Sequence, residues 1–385
     1  MSSDTKPRSR RGNGEGYISH DPARNRWRGS LAWTDPDGAA RRKAFSGPTR
    51  GAVTRRMDAL RAELAAGRRP ASTRTLADYL AKWLEAERSQ VRPATWIHRE
   101  GHIRRYIVPA IGHVRLGKLT PAHVEEMTAG MLARGLSPGT AAASRTSLSK
   151  ALRDALRGGL VDRNVASLAR PPRIPGKEVA YLDRTELRRL LDACEGEPIG
   201  PLVILAATTG LRQGELLGLA WSDVDLAAGT LTVRRAMARS WDGWSLAEPK
   251  TTRSRRTLHL AELAVDALLA QAQAQDAAKA AAGGDWQDVD GLVFADAIGR
   301  PLRAWRVGHA WHPLLRTAGV RSLPFHALRH SWATLALANG VPLKVVADNL
   351  GHASIAVTAA FYSGIVPELN RDAAEAIGRA LSDAK

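Results

Sequence analysis

The sequence predicts a multidomain, mainly α protein with a small β-sheet. Three observations carry that reading. Apolar residues recur every three or four positions through most of the chain, an alternating segment near the N-terminus breaks that rhythm, and a proline-rich stretch, Pro171-Pro172-Arg173-Ile174-Pro175-Gly176, coincides with an abrupt change in charge. We therefore expect a small β-rich module over residues 1–70, a helical domain over 71–176 and a mixed α/β domain over 177–385.

The 385 residues hold 56 Lys and Arg against 38 Asp and Glu, a net charge of +18, and are 44% hydrophobic. A chain of that composition buries real cores, and intrinsic disorder is excluded. Residues 1–70 carry 16 basic and 7 acidic side chains, residues 71–176 carry 17 and 8, and residues 177–385 carry 23 of each. The whole excess lies in front of the proline-rich boundary, and nucleic acid is the economical partner because each phosphate neutralised releases counterions. A lone cysteine, Cys194, fits a reducing compartment and excludes a disulfide scaffold or a Cys-based zinc finger. The N-terminal residues lack the apolar core of a signal peptide. The longest apolar run, Val203 to Ala207, falls far short of the roughly 20 residues that span a bilayer, so no membrane and a cytoplasmic location are expected.

Taken in order, Arg26 to Trp33 alternates, with Trp27, Leu31 and Trp33 on one face and Arg26 and Arg28 on the other. Asp35-Pro36-Asp37-Gly38 is a turn signal before a second strand, Arg41 to Phe45. A helix from Thr49 to Ala66 completes the module, and a linker around Arg68–Ser72 follows. Leu76, Tyr79, Leu80, Trp83 and Leu84 then recur at helical spacing. Further helices fit Pro93–Ile107, Pro121–Arg134 and Ser137–Arg157, a bundle of four or five. Beyond the boundary we expect helices at Arg184–Glu195 and Pro201–Thr208, short strands at Thr230–Arg235, Ser245–Glu248 and Arg256–Leu260, and helices at Ala261–Ala282, Ala304–Ala318, His326–Asn339, Pro342–Asn349 and Ile355–Tyr362. A tail helix, Pro367–Leu381, ends the chain with an amphipathic stripe.

Two short segments concentrate reactive chemistry. In His326-Ala327-Leu328-Arg329-His330, residues 326, 329 and 330 stand at i, i+3 and i+4 and share a helical face. The spacing suits a zinc-ligating pair, but Ala327 stands where the metalloprotease helix has its glutamate, and an arginine between two ligands repels a dication, so no metal is expected. Polar residues at a helix start would look the same. In Thr209-Gly210-Leu211-Arg212-Gln213-Gly214-Glu215, a charged residue follows an apolar helix, and Glu215 lies one turn on, where it can orient Arg212. Alone, that is an ordinary ion pair.

Jointly the fragments are more specific. Thr-Gly-Leu-Arg-x-x-Glu-Leu-x-x-Leu-x-Trp-x-Asp from Thr209 to Asp223, His-x-Leu-Arg-His at 326–330, Leu-Gly-His at 350–352, and Tyr362 ten residues beyond that histidine resemble the tyrosine recombinases of the phage integrase type in order and spacing. The resemblance covers 177–367 strongly, extends to a helical, SAM-like core-binding domain at 75–170, and reaches more weakly the N-terminal module that grips arm-type DNA sites in integrases.

What the resemblance implies is a site-specific recombinase that cuts and rejoins DNA through a 3′-phosphotyrosine intermediate, integrating or excising a mobile element. Tyr362 would be the nucleophile and Arg212 and Arg329 the clamp on the scissile phosphate. His326 and His352 would assist proton transfer, and Lys250, placed in a β-hairpin turn, would protonate the leaving 5′-oxygen. Glu215 and His330 would support the set. Arg24, Arg26, Arg28, Arg41 and Arg42 are candidate DNA contacts of the first module. Implied partners are double-stranded DNA at core and arm-type sites, a homo-tetramer on DNA, and accessory DNA-bending or directionality factors, with the protein associated with the nucleoid. No cofactor is implied. A phenol of ordinary pKa near 10 needs converging guanidinium groups to act as a nucleophile at neutral pH, which gives the set its physical sense. The competing reading is a catalytically silent DNA-binding regulator on the same scaffold.

Overall fold

The computed structural model describes residues 16–34, 40–65, 74–175, 180–248, 255–352, 354–362, 378 and 381–382. The chain divides into two compact units, Met1–Pro175 and Gly176–Lys385.

In the first unit, strands β1 (Tyr17–Asp21), β2 (Arg26–Thr34) and β3 (Ala40–Gly47) form an antiparallel sheet in the order β1-β2-β3. Helix α1 (Arg50–Ala65) packs Val53, Met57 and Leu60 against Leu31, with Trp27 and Trp33 at the edge of that cluster. The turn expected at Asp35–Gly38 and the linker at Arg68–Ser72 lie outside the described residues. The register corrects one grouping. Arg42 pairs across from Ala32 and so shares the exposed face of Arg26 and Arg28, whereas Arg41 pairs with Trp33 on the face that α1 covers. Successive side chains on a strand point to opposite faces, so adjacent arginines cannot serve one surface.

Helix α3 (Pro93–His102) leads into a second cluster, built by α2 (Leu76–Arg88), Ile103 and Ile107 just past α3, α4 (Val108–Ile111), α5 (Pro121–Ala133), α6 (Pro138–Arg157) and α7 (Val165–Leu168). Thr75 and Thr120 open α2 and α5 as capping boxes, and Ser137 caps α6 through the Thr140 N–H. The helix expected to stop at Ile107 instead runs on to Ile111. Residues Ile103–Ile107 form a π turn in which the Val108 N–H reaches back to the Ile103 carbonyl. Pro109 has no N–H and its ring crowds the carbonyl four residues back, and a π turn just ahead of it relieves both problems.

The second unit gathers α8 (Arg184–Asp192), α9 (Gly200–Thr209), α10 (Gln213–Leu217), α11 (Glu262–Ala282), α12 (Ala304–Thr317), α13 (Ala327–Ala338), α14 (Leu343–Leu350) and α15 (Ile355–Tyr362). Its largest core joins Leu202, Leu205, Leu216, Leu231, Trp311 and Leu328. Strands β4 (Val224–Asp225), β5 (Thr230–Val233) and β8 (Arg256–His259) form one sheet, and β6 (Ala236–Ser240) pairs with β7 (Gly243–Ala247) as a separate hairpin. Sequence reading expected a hairpin between the strands flanking Lys250. The structure differs: β7 pairs with β6 and β8 pairs with β5, so the hairpin turn falls at Trp241-Asp242. Strand β6 was not anticipated, because tertiary packing creates it. A Cβ on Gly214 would stand 2.7 Å from the Met237 carbonyl, and one on Gly218 would stand 2.9 Å from Ala236 Cα. Gly214 within α10 and Gly218 just past its end thus form the bed on which β6 lies.

Candidate active site

Two helix ends create the site. Helices α9 and α14 both stop at a glycine in the left-handed region, Gly210 at φ +66° and Gly351 at φ +63°. Each end leaves carbonyls without intrahelical partners, and the helix dipole makes that end attractive to cations. Arg329, on the first turn of α13 and only 3% exposed, fills the gap between the two ends. Its Nη1 donates to the Gly210 carbonyl at 2.8 Å and its Nη2 to the Leu350 carbonyl at 2.5 Å. Gly210 has a second reason to be glycine: a Cβ there would lie 2.9 Å from the Leu350 side chain and 3.0 Å from the Trp332 ring.

Arg212 caps the N-terminus of α10. Its Nη1 donates to Glu215 Oε1 at 2.8 Å, its backbone N–H to Glu215 Oε2 at 3.0 Å, and its Nη2 reaches the Gly351 carbonyl at 3.4 Å. The spacing that suggested an Arg212–Glu215 pair is therefore a contact. Sequence reasoning missed the other half of the pair, Arg256, whose Nη2 donates to Glu215 Oε2 at 2.9 Å. Burial pushes the Glu215 carboxyl up, but the Arg256 hydrogen bond and the charges of Arg256 and Arg212 outweigh it and hold the group below the ordinary carboxylate value. Three arginines against one carboxylate leave the cluster with an excess of positive charge, as a site for a phosphodiester anion requires.

The imidazoles stand in that field. His326 sits at the head of α13, its ring 5.0 Å from that of His330 in an edge-to-face contact. His352 follows Gly351 directly, and its Nδ1 is hydrogen bonded to the Thr358 hydroxyl at 2.8 Å, which leaves Nε2 for a ligand. Partial burial, then His330, Arg329 and Arg212, push His326 down to about 4. Partial burial, then Arg329, Arg212 and Arg256, do the same to His352, also to about 4. His330 is lowered by burial and by Arg329. At neutral pH His326 and His352 are uncharged, and an anion bound among the arginines would raise both pKa values by cancelling the repulsion.

Arg212, Glu215, His326, Arg329, His330 and His352 are thus linked, directly or through the ends of α9 and α14. Tyr362 is the last residue of α15. Thr358, the partner of His352, lies one helical turn before it, so α15 is tied to the site through that hydrogen bond. Lys250 lies in the segment between β7 and β8, outside the described residues, as does most of the expected tail helix, of which Gly378, Leu381 and Ser382 are helical. In the first unit, Arg24 ends a short 3-10 turn, Arg28 pairs with Asp21 at 3.3 Å and Arg42 donates to Ser30 at 2.9 Å. Among the described residues, no group of His, Cys, Asp and Glu side chains has the arrangement of a metal site, and no helix is long and apolar enough to cross a membrane. Cys194 is buried, which pushes its thiol up to about 12 and leaves it unreactive.

Residues 180–365 match the phage integrase family, and residues 75–132 match the N-terminal SAM-like domain of phage integrases. A tyrosine recombinase XerC-like protein of Caldanaerobacter subterraneus subsp. tengcongensis is 30% identical over 323 residues, covering 79% of this chain and 82% of that protein. An integrase of Streptomyces ambofaciens is 30% identical over 372 residues, 92% of this chain and 93% of its own length. The chain belongs to the phage integrase family. Its fold agrees with that of solved integrases: the Tn1549 transposon integrase superposes with a TM-score of 0.66 at 20% identity over 78% of this chain and 99% of the other. Lambda integrase superposes with a TM-score of 0.56 at 22% identity over 92% and 96%. As a tyrosine recombinase of this family, the protein is an enzyme that cleaves and rejoins DNA through a tyrosine intermediate.

Proposed function

We propose that this recombinase integrates or excises a mobile element, with Tyr362 as its nucleophile and Arg212, Arg329, His326, His352 and Lys250 as the groups that act on the scissile phosphate. The observation that carries the assignment is the pair of guanidinium groups held between two helix ends beside two neutral imidazoles. Tyr362 Oη attacks phosphorus and forms a phosphotyrosine on the 3′ side. The bond to the 5′-oxygen breaks, the phenolic proton passes to an imidazole or to water, and Lys250 supplies a proton to the leaving oxygen. Arg212 and Arg329 stabilise the charge that builds on the non-bridging oxygens. Attack by a 5′-hydroxyl from a second duplex then releases the tyrosine, so the phosphodiester energy is kept without ATP.

Residues 71–176 would grip the core site and residues 1–70 an arm-type site, where the excess charge of the first 176 residues is concentrated. A tetramer is the working assembly in this reading. Lambda integrase has been solved as a tetramer on a Holliday junction, and exchange between two duplexes needs two pairs of nucleophiles. Accessory DNA-bending or directionality factors would complete the complex in the cytoplasm, on the nucleoid.

The test is covalent trapping on a nicked suicide substrate. Wild-type protein should yield a slowly migrating adduct and Tyr362→Phe none, with DNA affinity retained. An adduct in the Phe variant would remove Tyr362 from the role. No adduct with either protein, on a duplex the protein binds, would favour the silent regulator.

A further inference from the structure

Arg256 lies outside every motif that pointed to the site, yet its side chain, 8% exposed, sits at the site's base. It opens β8 and reaches two other elements. On α10 it meets Glu215 with both terminal nitrogens, Nη2 to Oε2 at 2.9 Å and Nη1 to Oε1 at 3.3 Å. At the end of α14 its Nε donates to the Asn349 carbonyl at 2.5 Å. The next turn closes directly on it: a Cβ on Gly351 would lie 2.9 Å from Arg256 Nη1. His352 is the following residue.

We propose that Arg256 is a positioning residue for strand cleavage, orienting Arg212 through Glu215 and setting, through Asn349 and Gly351, the turn that presents His352. The proposal rests on the functional reading above. Its physical core is competition for one carboxylate. Glu215 is 6% exposed and divides its oxygens between Arg256 and Arg212, whose own side chain is 38% exposed. Without Arg256, a buried carboxylate would have Arg212 as its remaining cationic partner and would draw that guanidinium fully onto itself, away from a phosphate. The same loss would free the Asn349 carbonyl and slacken the turn before His352. Lysine cannot replace it in full, since one ammonium lacks the planar fork that serves a carboxylate and a carbonyl together.

The charge of Arg256 also bears on His352, together with Arg212 at the head of α10 and Arg329 and His330 on α13, while Thr358 on α15 holds Nδ1. Removing one positive neighbour raises the His352 pKa, so the acid limb of the cleavage profile should begin at a higher pH. Single-turnover cleavage of a suicide duplex, measured across DNA concentration and pH, tests this on the full chain. Arg256→Met should lower the maximal cleavage rate by about a hundredfold with DNA affinity changed less than threefold, and should move the acid limb upward. Arg256→Lys should restore the pH profile but only part of the rate. Leu258→Ala, on the same strand and buried, controls for simple destabilisation. If Arg256→Met cleaves like wild type with an unshifted profile, or if Leu258→Ala at equal loss of thermal stability reproduces both effects, Arg256 has no positioning role. Failure of the wild-type protein to form a Tyr362-dependent adduct would instead sink the functional reading and this proposal with it.

Discussion

The arginines of the N-terminal sheet and those clustered in the second unit share a side chain but little else. Arg26, Arg28 and Arg42 lie on an exposed sheet face, and their contacts are those a solvated guanidinium picks up, one carboxylate at 3.3 Å and one hydroxyl at 2.9 Å. Arg329 and Arg256 are buried, and their nitrogens are committed to carbonyls at helix ends and to Glu215. In water a charge near a polyanion acts at long range and is screened by salt. In a buried cluster the same charge has fixed geometry, depresses neighbouring imidazoles and cannot be lost without leaving partners unpaired. In the proposed function, position decides whether an arginine would contribute affinity or chemistry.

The largest effect should come from Arg329→Ala. Cleavage should fall by at least about a hundredfold, the scale of losing one fixed transition-state donor. Stability should fall as well, by about 1–3 kcal/mol for buried carbonyls left without a donor. Single-turnover cleavage and thermal melting measure the two effects, and a variant that melts like wild type would contradict the buried assignment.

A smaller effect belongs to pH. His326 and His352 sit near 4 in the fold against an ordinary value of 6.5. As pH falls below 6.5 the unfolded chain takes up protons that the fold refuses, so stability is full above 6.5 and is lost progressively towards 4. A DNA phosphate bound where proposed would raise both pKa values, so the slope of melting temperature against pH should flatten when a core-site duplex is present. An equal slope with and without DNA would place the scissile phosphate elsewhere.

The smallest effect should follow replacement of Arg26, Arg28 and Arg42 together by alanine. Thermal stability and cleavage of a core-only duplex should stay at wild-type levels. The slope of log affinity against log salt on an arm-containing duplex should become shallower by about 0.9 for each phosphate that is no longer neutralised. An unchanged slope would deny this face a DNA role. Adding Arg41→Ala should change the slope no further, because Arg41 stands on the other face of its strand.

How legible these features were depends on distance along the chain. Arg212 and Glu215 are three residues apart, and His326, Arg329 and His330 stand within one turn of helix, so local periodicity was enough to group them. The acceptors of Arg329 lie 119 and 21 residues away, and those of Arg256 lie 41 and 93 residues away. Nothing in local spacing says which carbonyl a helix end will leave without a partner. The extended helix through Pro109 was obscured for a related reason, since proline normally marks a stop and only the π turn before it allows continuation.

The helical character of the chain, the alternating face of β2, the charge-rich front and the order of the motifs are all legible residue by residue, because each depends on neighbours within a few positions. The sequence also sufficed to place the chain in its family, whose motifs are read in order along the strand. Packing over long sequence separations settles which arginine joins which helix end, that β6 lies on Gly214 of α10 and Gly218 just past its end, that β8 pairs with β5, and that Arg256 belongs to the site at all. Desolvation enforces that choice. A buried guanidinium or an unpaired carbonyl is tolerable only with a partner, and that partner is chosen by whichever groups the packed core brings within hydrogen-bonding reach.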